Sequence, residues 1–287
     1  LESLKFTNGN GVELTLEKPY IITKLEGMGV ANVDTQYQKA AFQDGQTYLG
    51  NTLEPIELTF EMALVADTES ELFELRKTIN TVFNPKLRKG KLLYTYPLGE
   101  KEIECIVSIP PRFAGGHENK TNKMQRVLLT LIAPIPFWLD NFVSGETLGF
   151  SIPLFEFDLE IIEDFEFAVD GTNRTNLSND GDVETPVEII FNGPAINPII
   201  TNETTGEFIK VTQTLLEGEC LTIATGFGNK SVIFNDGSTD TNAFGNIDLD
   251  STFWQLQVGD NEVVYSADTG IDTASVNISY TQRYVGV

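Results

Sequence analysis

The sequence predicts a mainly β chain with a single helix and an antiparallel sandwich in its second half. Three observations predict it. Apolar and polar residues alternate with period two in several segments, one stretch alone carries helical spacing, and turn residues punctuate the final third at regular intervals.

Strand signals begin early. Leu14, Leu16 and Tyr20-Ile21-Ile22 precede Glu26-Gly27-Met28-Gly29, whose glycines suit a turn. Residues 30–50 are polar and long for a connection, with Gln36-Tyr37-Gln38 and Gln43-Asp44-Gly45-Gln46. A connection of that length is expected to be functional or packed on a neighbour. Residues 55–64 then alternate strictly, the mark of a strand with one buried face.

The helix follows. Thr68-Glu69-Ser70-Glu71 fits a capping box, in which the hydroxyl and the carboxylate satisfy amides of the first turn. Leu72, Leu75, Ile79 and Val82-Phe83 recur at three- and four-residue spacing, and Asn84-Pro85 ends the run because proline disfavours helical geometry before it. Lys86 to Lys91 is a basic turn suited to a helix C-terminus. A hairpin is expected around Pro97-Leu98-Gly99-Glu100, then a polar loop over residues 112–122 and a strand over 125–132.

Past that point the texture changes. Residues 150–169 are acidic and aromatic and largely alternate, and residues 173–182 read as a loop rich in Asn, Asp, Gly and Thr. Strands are expected at 187–191, 208–211, 220–224, 231–234, 254–258, 262–265 and 275–284, a spacing that needs no helix. Charge divides the chain at the same place. Residues 1–142 hold 15 basic and 18 acidic side chains, residues 143–287 hold 4 and 24, so the halves carry −3 and −20 of the total −23. The expected domains are therefore 1–142 and 143–287. Such an acidic second half repels nucleic acid, anionic wall polymers and other copies of itself unless cations intervene.

Catalytic parts are scarce. His117 is the single histidine, so a metal site built on several imidazoles is excluded, and it sits in a glycine-rich loop with no activated Ser or Cys in context. Cys105 and Cys220 lie in apolar strand-like runs and read as small buried hydrophobes. Asn179-Asp180-Gly181-Asp182 and Asn235-Asp236-Gly237-Ser238-Thr239-Asp240 carry oxygen ligands but lack the EF-hand spacing, and turn chemistry explains them. The expectation is no enzyme, no cofactor, no metal, no membrane span and no signal peptide at Leu1-Glu2-Ser3-Leu4-Lys5.

Gly45 to Tyr48-Leu49-Gly50 before the strand at 56–64, then Phe83-Asn84-Pro85 and Ala133-Pro134-Ile135-Pro136-Phe137-Trp138, follow in an order that resembles the distal tail protein family of long-tailed phages of Gram-positive bacteria. It continues in Gly193-Pro194-Ala195-Ile196-Asn197-Pro198, Asn202-Glu203-Thr204-Thr205-Gly206, Leu215-Leu216-Glu217-Gly218-Glu219 and Val258-Gly259-Asp260-Asn261, and departs at Pro55, where a basic residue is expected. The resemblance implies an N-terminal β-sandwich with one α-helix and a hairpin, and a galectin-like C-terminal antiparallel β-sandwich. It also implies a homohexameric ring at the distal end of the virion tail, single or paired, assembled in the host cytoplasm. Such a ring joins the tail-tube protein to the tail-tip hub, with a receptor-binding protein as a further partner and DNA only as passing cargo. The polar arm bearing Gln36, Tyr37, Gln43 and Tyr48 is the candidate for reaching across a subunit boundary. The alternative is a carbohydrate-binding accessory adhesin, for which Trp254 is the candidate sugar-stacking residue. Galectins use a histidine at the sugar site, and the second half has none.

Overall fold

Ile56, Leu58, Phe60, Met62 and Leu64 all point to one side of a ten-residue strand, and that face is the centre of the first unit's core. The fold is given by a computed structural model that describes residues 2–149, 173–271 and 273–287. The chain forms two units, Leu1–Asn141 with Tyr284–Val287, and Phe142–Arg283.

In the first unit β1 (Ser3–Thr7), β2 (Glu13–Thr15), β3 (Tyr20–Glu26), β4 (Val33–Gln38), β5 (Thr47–Leu53) and β6 (Ile56–Val65) precede helix α1 (Glu69–Val82). After it come β7 (Lys89–Tyr96), β8 (Gly99–Phe113), β9 (Met124–Ala133) and β10 (Trp138–Asp140). The main sheet runs β2-β1-β7-β8-β9-β6-β3 with antiparallel neighbours. One continuous sheet, wrapped over a single core, makes this half of the fold. Bulges interrupt the ladder: the register shifts twice in β8, once at Ser108 and once across Pro110 and Pro111, and once in β3. The ends of the sheet approach each other across a groove lined by Ser3, Leu4, Ile21, Ile22 and Leu25.

Helix α1 closes the core as its spacing requires. Leu72, Ile79, Val82 and Phe83 are buried, and the Phe83 ring stacks on Phe6 with centroids 4.5 Å apart. Each such side chain contributes about 1.5–3 kcal/mol on burial. Thr68 Oγ1 accepts from the Glu71 amide at 3.2 Å, while the Glu71 carboxylate accepts from the Asp67 amide at 2.9 Å, one residue before the cap. Asn84 caps the short turn Pro85–Leu87 that follows. The expected hairpin is present, with Tyr96 opposite Gly99 and the two-residue turn Pro97-Leu98 between them.

The second unit is β11 (Ser144–Gly149), β12 (Arg174–Asn179), β13 (Thr185–Asn192), β14 (Ala195–Ile196), β15 (Ile199–Asn202), β16 (Glu207–Lys210), β17 (Thr214–Leu215), β18 (Cys220–Ala224), β19 (Ser231–Asn235), β20 (Asp240–Asn242), β21 (Gln255–Leu256), β22 (Gly259–Ser266) and β23 (Ser275–Tyr280). One sheet runs β11-β23-β13-β18-β19-β20, the other β12-β22-β15-β16. Ile189, Phe191, Leu221, Ile223 and Ile278 from the first meet Leu177, Ile200, Ile209, Val263 and Tyr265 from the second in one core, which makes this unit an antiparallel sandwich.

Four expectations change. Residues 173–182, read as a loop, hold the edge strand β12, whose remaining polar residues face solvent while Leu177 and Asn179 are buried. The strand expected over 275–284 ends at Tyr280. The strand at 254–258 shrinks to Gln255–Leu256, because the Trp254 amide is taken by Thr252 in a turn. The last four residues belong to the first unit: the Tyr284 hydroxyl meets Asp140 and the Val287 amide donates to Met28. Such long-range pairings have no local sequence signal. The alternating stretch at 150–169 lies outside the described residues.

Candidate functional site

Residues 30–50 form an ordered β-hairpin. Among the described residues β4 and β5 pair only with each other, from Val33 opposite Leu53 to Gln38 opposite Thr47. Its root is fixed, because Ala31 is buried, Leu53 packs on the core and the Glu54 amide donates to the Asn32 carbonyl at 2.8 Å. Beyond the root both faces are open to solvent. A two-stranded ribbon of this kind is marginal by itself, and exposed apolar groups on it call for a cover.

All four arm residues singled out from the sequence lie on this hairpin. Tyr37 and Tyr48 face each other edge-on at 6.2 Å, each 56% exposed. Gln43 knits the tip: its carbonyl accepts from the Ala40 amide and its amide donates to Thr47 Oγ1, both at 3.0 Å. Gln36 donates to Asp34 at 2.9 Å. Sequence reading missed Val33, Phe42 and Leu49, which are also exposed here. The register slips between Gln36 and Tyr37, where Leu49 is left without a partner beside Gly50. Phe42 sits fully exposed at the tip with φ 64°, a region that aromatic residues rarely enter. An aromatic inside a polar turn was the signal that could have found it.

A buried polar cluster lies near the point where the chain leaves the first unit. The Lys101 ammonium pairs with Asp140 and stands 3.4 Å from the centre of the Tyr284 ring, and Tyr284 Oη bonds Asp140 Oδ2 at 3.1 Å. Burial pulls the Lys101 pKa down, but the bonds to Asp140 and Tyr284 outweigh it and hold it above its ordinary value. Lys101 thus ties Asp140, just before the second unit, to Tyr284, just after it.

The remaining candidates have structural duties. Trp254 is 1% exposed in the core of the second unit, so its face is closed to a sugar, which corrects the stacking assignment. Cys105 is buried, which pushes its thiol up to about 12, and Cys220 is half-buried. His117 is exposed on the loop between β8 and β9. The acidic turns serve their own backbones: Asn179 accepts from the Gly181 amide, Asn235 from Gly237, and Asp236 from Ser238 and Thr239. Among the described residues no group of three or more His, Cys, Asp or Glu is arranged to hold a metal, and no helix is long and apolar enough to cross a membrane.

Residues 8–133 match the family model described as a phage tail protein RIFT-related domain, and residues 180–284 match that of the siphovirus-type tail component, C-terminal domain. No curated protein matches the chain. Among solved structures it is similar to Dit of phage SPP1, described as a paradigm of the hub adsorption apparatus in phages infecting Gram-positive bacteria. That likeness has a TM-score of 0.70 at 13% identity and covers 98% of each chain. It is also similar to chains of the phage P2 baseplate in its activated conformation. With Ca the TM-score is 0.56 at 10% identity over 100% of both chains. With Sr it is 0.53 at 10% identity, over 97% of this chain and 98% of that one. Fold and matched stretches together define a structural component of a phage tail. Within that class the chain belongs to the distal tail protein family of long-tailed phages.

Proposed function

We propose that this chain forms a homohexameric ring at the distal end of the tail. The ring joins the tail-tube protein above to the tail-tip hub below and encloses a channel through which DNA passes. Residues 1–142 carry the assembly and residues 143–287 form the periphery. The observation that supports this most directly is the solvent-open hairpin β4–β5, whose Tyr37, Tyr48, Phe42 and Leu49 are exposed with no cover from the described residues. A ring needs heterologous contacts, in which a projection on one subunit meets a different surface on the next. A hairpin anchored at its root and exposed along its length has that form, with Gln36, Tyr37, Gln43 and Tyr48 as the contact residues. The accessory-adhesin alternative loses its one stacking candidate with the burial of Trp254.

The test is light scattering with negative-stain imaging of the purified protein, alone and mixed with tail-tube and hub proteins. Six-fold rings, single or paired, are expected at high concentration. A strict monomer under every condition counts against the proposal.

A further inference from the structure

Copies of a chain with a net charge of −23 repel one another, so any contact between them must oppose unlike charge. The first unit carries a surface made for that. Phe73, on the outer side of α1, is 50% exposed and is flanked by two cations. The Arg76 guanidinium lies 5.1 Å from its ring centre and 4.4 Å from that of Phe113, and the Lys120 ammonium lies 5.7 Å from Phe73 on the other flank. Lys120 and Lys123 line one shallow groove with His117, and Arg76 and Lys77 line another with Phe73 and Asn80.

Ion pairs hold five other cations of the first unit, while Lys18, Lys39, Lys86, Arg88, Arg112 and Arg126 stand outside ion pairs among the described residues, as three of these cations do. Lys5, Lys24, Lys89, Lys91 and Lys101 each pair with a carboxylate. Arg76, Lys120 and Lys123 pair with none among the described residues, although Glu118 sits in the same loop and Glu74 lies 3.9 Å from Lys77. Stacking holds Arg76 and Lys120 in place, which lowers the entropy lost when an anion engages them. A central aromatic ringed by oriented cations is the composition of an interface anchor, not of a solvated face.

We infer that this surface docks the acidic second unit of a second copy of the chain. The inference rests on the ring reading and adds, beside the assembly carried by residues 1–142, a charged contact to the peripheral second unit of the next copy. The complement is in the chain itself, since residues 143–287 carry 24 acidic against 4 basic side chains. Nucleic acid, the other ligand of basic aromatic surfaces, meets a polyanionic protein around a small patch.

Two measurements test it on the full chain. In the first, Lys120→Glu/Lys123→Glu is compared with wild type and with Lys120→Arg/Lys123→Arg by sedimentation from about 0.05 M to about 0.5 M salt. Both lysines are exposed, and unchanged melting temperatures verify folding. Expected are wild-type assembly that weakens with salt, a Glu pair about tenfold weaker at low salt with a flattened salt response, and an Arg pair like wild type. In the second, carbodiimide crosslinking of mixed light and heavy copies is expected to join Lys120 or Lys123 of one copy to carboxylates at 173–283 of another. A Glu pair that assembles as tightly as wild type, or crosslinks confined to single chains, overturns the inference while the ring stands. Unchanged assembly with loss of binding to a short DNA duplex overturns it in favour of a nucleic-acid face. Monomeric wild type alone and with tail partners removes the ring reading and this inference together.

Discussion

The Tyr37 ring meets the Tyr48 ring edge-on across the hairpin β4–β5, with centroids 6.2 Å apart and planes at 64°. Neither ring reaches the core, so the pair adds little to folding and its surface remains open to a neighbour. Tyr37→Ala/Tyr48→Ala is therefore expected to leave stability within about 1 kcal/mol of wild type. Assembly is expected to weaken by about 2 kcal/mol or more, as for aromatic anchors elsewhere. Calorimetry and sedimentation on the same sample check both halves. A variant that unfolds earlier yet assembles normally would show that the pair is structural.

Lys101 is expected to matter for the opposite reason. Lys101→Met removes the ammonium paired with buried Asp140, at a cost of about 3–5 kcal/mol. Denaturant midpoints measure it, and Lys101→Arg is expected to recover part of the loss.

Stability is expected to fall on the alkaline side. Burial raises Cys105 from 9.0 to about 12 and Tyr265 from 10.0 to about 12, and Lys101 is raised above 10.5. For each group the folded pKa lies above the unfolded one, so the contribution is whole below the unfolded value and is lost as pH climbs towards the folded one. The window runs from pH 9 to about 12. A melting temperature that stays constant through it would contradict these assignments.

Trp254 separates core from ligand duty. Trp254→Ala is expected to cost about 3–5 kcal/mol. Trp254→Phe is expected to cost much less, because the buried indole N–H finds no acceptor among the described residues. Urea unfolding ranks the two. Loss of wall-polysaccharide binding in Trp254→Ala at full stability would revive the sugar reading.

Much of this was legible in residue order, for physical reasons that also set the limit. Helix α1 announces itself because its cap, its apolar spacing and Asn84-Pro85 are all local. β6 does so because one buried face forces alternation. The arm showed only as a long polar connection: with both faces in solvent, nothing selects period two, and β4 and β5 carry no strand signature. Residues 36, 37, 43 and 48 were placed on the arm through length and composition, while Phe42 and Leu49, isolated apolar residues, gave no periodic signal of their own. The Arg76–Phe73–Lys120 contacts join a helix to a loop more than forty residues away, and the return of Tyr284 spans half the chain, so neither leaves a trace in local pattern.

The most direct measurement is imaging of purified wild-type protein with class averaging, alone and with tail-tube and hub proteins. Six-fold rings with an open centre, lost in Tyr37→Ala/Tyr48→Ala at unchanged melting temperature, are the expected result. Monomers throughout, or rings indifferent to that substitution, would contradict the assignment of the hairpin as the arm that joins one subunit to the next.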